Sequence, residues 1–80
     1  RAENTRFTGS VELDPDGDIA AQLASLAEEV IVHLPRGGAD GLEIAVSIDA
    51  TRYAGFDRAT VRTVSENARV LRLKPGRFEG

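Results

Sequence analysis

Eighty residues allow one small domain, which would bury roughly 60% of the surface its unfolded chain exposes. Apolar residues make up 41% and charged residues 29%, a balance that argues against wholesale disorder. No run of about 18 apolar residues predicts a membrane span, no charged-then-apolar leader is present, and the absence of cysteine excludes a disulfide scaffold or a thiolate metal site.

The net charge of −3 is unevenly spread. Residues 1–57 hold four basic and eleven acidic side chains, whereas residues 58–80 hold six basic ones (Arg58, Arg62, Arg69, Arg72, Lys74 and Arg77) against Glu66 and Glu79. Such asymmetry marks either a surface for nucleic acid or an acidic partner, or acidic and basic faces that balance within the fold. A chain that begins with Arg1 rather than Met reads as a module cut from a longer protein.

Residues 1–5 show no periodicity and are expected to fray; residues 6–80 read as a single domain. In RFTGSVELD, Phe7, Gly9, Val11 and Leu13 alternate with polar residues, predicting a half-buried strand closed by the turn Asp14-Pro15-Asp16-Gly17. The period then changes. Ile19, Leu23, Leu26, Val30 and Leu34 form a helical stripe, with Asp16 or Asp18 as the N-cap. Pro35 and the pair Gly37-Gly38 end that helix, one of these glycines supplying a left-handed residue.

In LEIAVSIDA, Leu42, Ile44, Val46, Ile48 and Ala50 alternate strictly and predict a long strand. Asp57 caps a second helix, residues 57–68, whose apolar face is Val61, Val64 and Ala68 and whose solvent face is Arg58, Arg62, Glu66 and Arg69. Asn67 is expected to fix the exit of this helix, its short side chain serving nearby backbone groups. Leu71 and Leu73 against Arg72 and Lys74 predict a last, edge strand, closed by Pro75-Gly76. The order is β-α-β-α-β: an α/β two-layer sandwich with both helices on one face of a three-stranded sheet.

No catalytic constellation emerges. His33 stands alone, with Glu29 four residues earlier, and two ligands do not make a metal site. The acidic turn DPDGD lacks the glutamate that closes a calcium loop. PRGGADG follows a helix rather than a strand and carries no lysine, so it is a helix terminator and not a phosphate loop. Serines 10, 25, 47 and 65 have no orienting base. No cofactor is expected.

RFTGSVELDP, AEEVIVHL, LEIAVSIDA, GFDRATVRTVSENARVLRL and the closing RFE together resemble the C-terminal segment of large prokaryotic ATPases catalogued under domain of unknown function 499. The most specific stretch is VRTVSENARVL; Arg77-Phe78 departs from the glycine-aromatic pair expected near the end. The resemblance implies a terminal, non-enzymatic accessory module of a cytoplasmic ATPase. The P-loop would lie in an upstream region outside this chain. The partners expected are that ATPase region or a second copy met through an edge strand. Nucleic acid, DNA included, is the alternative, contacted by Arg58, Arg62, Arg69, Arg72, Lys74 and Arg77; Tyr53 is the one aromatic left free to stack on a base.

Overall fold

The structure, a computed structural model, describes residues 2–80; Arg1, part of the segment expected to fray, lies outside them. It divides into two compact units, one running up to Ala45 and the other spanning Val46–Gly80. Among the described residues there are helices and no strands. The helices are α1 (Ile19–Leu26), α2 (His33–Arg36) and α3 (Arg58–Val70).

In the first unit the chain enters through an Asx turn. The Asp14 carboxylate accepts from the Asp16 N–H at 3.0 Å, and the Asp14 carbonyl accepts from the Gly17 N–H at 3.2 Å. Asp18, in extended conformation, caps α1 by accepting from the Ala21 N–H at 3.0 Å. Gln22 then reaches back over the turn. Its amide accepts from the Asp14 N–H at 2.7 Å and donates to the Asp14 and Asp18 carbonyls at 3.0 and 3.2 Å. Val11, Glu12 and Leu13 lie beside α1, leaving an open groove of about 430 Å³ whose opposite wall includes Gln22, Leu26 and Val30.

The helix does not run on unbroken. Ala27–Ile31 form a wider, π-helical turn, in which the Val32 N–H bonds to the Ala27 carbonyl at 2.9 Å. The run Val30-Ile31-Val32 crowds an α-helical turn. Pro35, four residues after Ile31, also removes a donor from the ladder. Helical geometry resumes in α2 and ends in a Schellman motif: the Ala39 N–H bonds to the Leu34 carbonyl at 3.1 Å and the Gly38 N–H to the Pro35 carbonyl at 2.9 Å. Gly38 is the left-handed residue, at φ 89°.

In the second unit Arg52 and Gly55 close a turn: the Gly55 N–H bonds the Arg52 carbonyl at 2.9 Å, and the Arg52 guanidinium returns to the Gly55 carbonyl. Asp57 caps α3, accepting from the Thr60 N–H at 2.7 Å. The inward face of α3 is Val61, Ser65 and Ala68, and Ala68 is the one buried residue among those described. Phe56 and Phe78 pack edge to face, with centroids 5.3 Å apart and planes at 64°. This aromatic pair joins the segment before α3 to the chain after it.

The expected sandwich is therefore overturned: no three-stranded sheet forms. Residues 42–50 form no strand and make no backbone hydrogen bonds among the described residues, and Ile44, Val46 and Ile48 lie 58%, 73% and 76% exposed. Alternation favours an extended backbone with one apolar face; it does not supply the second strand whose N–H and C=O groups complete a ladder. Residues 7–13 likewise form no strand, and Val11, Glu12 and Leu13 share a groove with α1 residues instead.

The third expected strand is lost for a different reason. α3 continues to Val70, and its capping bonds claim the residues that follow: the Arg72 N–H bonds the Arg69 carbonyl at 3.1 Å and the Leu73 N–H bonds the Ala68 carbonyl at 2.9 Å. The left-handed residue of this second Schellman motif is Arg72, at φ 60°. Asn67 thus does not make the exit. It lies within the helix, its carbonyl accepting from the Leu71 N–H at 2.9 Å.

Candidate functional site

The six basic residues of the C-terminal segment all belong to the second unit, yet they do not form one patch. Arg58 opens α3 and Arg69 lies in its last turn, so eleven helical steps, about 17 Å, separate them. Arg62 is already engaged: its Nε lies 3.2 Å from Glu66 Oε1, one turn along the exposed face. This i,i+4 pair, at its exposure, contributes about 0.3–0.5 kcal/mol.

Arg69, Arg72 and Lys74 are brought together. They line one open cleft of about 690 Å³ between the last turn of α3 and the turn through Pro75 and Gly76, with Ser65, Glu66 and Leu73 completing its wall. Glu66 is the only carboxylate of that wall, and no carboxylate lies within 4.0 Å of the charged atoms of Arg69, Arg72 or Lys74 among the described residues. Arg58 and Arg77 do not line it.

Local geometry builds this cleft. The Schellman bonds turn the chain sharply after Val70, and Arg72, in left-handed geometry, lines the cleft together with Arg69. Gly76, at φ 58°, packs so closely that a Cβ there would stand 2.7 Å from the Leu73 carbonyl oxygen. The floor of the turn has no spare room.

Of the other candidates, His33 is exposed at the start of α2, and Glu29 sits in the widened turn before it. No group of three or more His, Asp or Glu side chains stands ready to hold a metal among the described residues. The Asp57 carboxyl is held below its ordinary range by hydrogen bonding from Thr60, through its side chain and then its backbone N–H. That is a capping interaction. Tyr53 is fully exposed, while Phe56 and Phe78 are spent on each other.

Comparison with family models, with curated proteins and with solved structures finds no match to the chain. No helix of the described residues is long and apolar enough to cross a membrane. Gln22, the clamp of the N-terminal turn, and the convergence of three of the six basic residues were not foreseen. The first leaves no signal beyond a glutamine near a turn; the second depends on the left-handed Arg72.

Proposed function

We propose that this chain is a non-catalytic interaction module that docks, through its unpaired apolar segment at residues 42–50, onto the ATPase region of a cytoplasmic prokaryotic ATPase of the kind its sequence resembles. The observation that carries the reading is the segment itself. Strictly alternating Ile44, Val46 and Ile48 stand mostly exposed, and their backbone groups have no partners. Exposed apolar surface combined with free main-chain donors and acceptors is what strand addition to a partner uses.

Sedimentation equilibrium of the chain, alone and mixed with such an ATPase region, tests the reading. Association is expected with the ATPase region and is lost in Ile48→Lys, a change that leaves the helices' circular dichroism intact. No association at high concentration, or equal association by Ile48→Lys, refutes it; association of the chain with itself alone makes a second copy the partner.

A second reading, a nucleic-acid-binding accessory module, is favoured by the convergence of Arg69, Arg72 and Lys74 and by exposed Tyr53. It predicts affinity for DNA or RNA that falls steeply with salt. Titration at two salt concentrations decides it, and absence of binding at low salt removes it.

A further inference from the structure

We propose that the cleft at the end of α3 is a binding site for a phosphate-type anion, held by Arg69, Arg72 and Lys74. The assignment goes beyond the docking reading and does not rest on it, since a chain that never associates could still bind the anion.

Two independent observations carry it. The first is electrostatic. Three cations converge on one cleft of about 690 Å³, within the range of small-ligand sites. The sole carboxylate of the wall pairs with Arg62, and the chain as a whole is acidic, so this positive concentration is not part of a generally basic surface.

The second is conformational. Both helical segments end in the same capping motif, whose left-handed position favours glycine because a Cβ there crowds the neighbouring carbonyl. The first uses Gly38 and the second uses Arg72, at φ 60°. A side chain kept where the backbone disfavours one, on the wall of a charged cleft, points to work done by that side chain.

The ligand class follows from the donors. A guanidinium presents a planar fork that grips two oxygens of an oxyanion, and an ammonium adds a point charge. Three cations are matched by a group carrying two or more negative charges, as a phosphate ester or pyrophosphate does, better than by a single carboxylate. Ser65 adds a hydroxyl donor to the wall. The carbonyl end of α3 repels anions, so the side chains must supply the attraction.

The test is calorimetric titration of the full chain with inorganic pyrophosphate, and in parallel with an unphosphorylated oligothymidylate. Saturable one-to-one binding of pyrophosphate is expected, weakening as salt rises. Arg72→Gly should unfold at a higher temperature than the parent and yet bind pyrophosphate at least about tenfold more weakly, as loss of a charge-assisted fork requires. Arg72→Lys, which keeps the charge but not the fork, should also weaken it, and Arg6→Gln, a cation of the other unit, should not. Arg69→Gln provides the same loss of binding through a residue in ordinary helical geometry. Unchanged affinity in Arg72→Gly or Arg69→Gln, or binding of the oligothymidylate without any binding of pyrophosphate, overturns the proposal.

Discussion

Replacing Gly76 by alanine should open the turn that closes the cleft, and should cost more than the same change at Gly38 or Gly41. At φ 58° an alanine pays the left-handed penalty, roughly 1–2 kcal/mol. Its Cβ would also meet the Leu73 carbonyl oxygen at 2.7 Å and the Leu73 Cβ at 2.9 Å, so residue 73 must give way. Leu73 is tied by its N–H to the Ala68 carbonyl, and yielding endangers a bond worth about 1 kcal/mol. Alanine recovers about 0.4–1 kcal/mol by restricting the unfolded chain. The net loss is about 1–2.5 kcal/mol, which speeds exchange of the Leu73 amide about 5- to 70-fold through local opening. Gly38→Ala carries the left-handed penalty alone, because nothing lies within 4 Å of its Cβ, and Gly41→Ala, with neither penalty, should be neutral or slightly stabilising. Amide exchange and urea denaturation of the three variants give the order. A Gly76→Ala variant no more costly than Gly41→Ala would refute the reasoning.

Gln22→Ala removes the clamp between Asp14 and α1 and should cost about 1 kcal/mol, with the Asp14 amide losing its protection from exchange. Because Thr60 holds the Asp57 carboxyl below its unfolded value, its capping contribution is fully present above the ordinary carboxylate range. It is lost as pH falls through that range and on through the lower folded value. The helicity of α3, followed by the Thr60 amide resonance, should therefore fall below about pH 4, and in Asp57→Asn that contribution to the pH dependence should vanish. Glu66→Gln breaks only an exposed ion pair and should shift stability by no more than about 0.5 kcal/mol in a thermal melt, shrinking further in high salt.

Helix starts were legible because the interactions that make them are local. Asp18 and Asp57 both accept from the backbone N–H three residues on, as a short carboxylate before an amphipathic run should. The end at Gly38 was legible for the same reason. Strand pairing was not, because alternation at residues 42–50 describes one chain segment and pairing needs a second. The inward face of α3 was nearly right. At 100° per residue, Val61, Ser65 and Ala68 span about 60° of the helix, and Val64 stands about 60° from Val61 on the other side. A shift of the buried face toward Ser65 leaves Val64 47% exposed. Asn67 misled because its capacity to end a helix was not needed: the next three residues kept helical geometry and the exit moved to Arg72.

That displacement bears on the cleft. Local rules put glycine at the left-handed position of a capping motif, and they hold at Gly38; at Arg72 they fail, and the failure could not be seen until the helix was known to end at Val70. The charge asymmetry of residues 58–80 was plain from the start, but it named six candidates without ranking them. The backbone ranks them. Arg62 is paired with Glu66, Arg58 lies at the far end of the helix, and Arg72 lines the cleft from the left-handed position of a capping motif that glycine would fill at less cost. Where local preference and observed geometry disagree at a residue that lines a cleft, the side chain's task is the explanation that the Arg72→Gly variant tests.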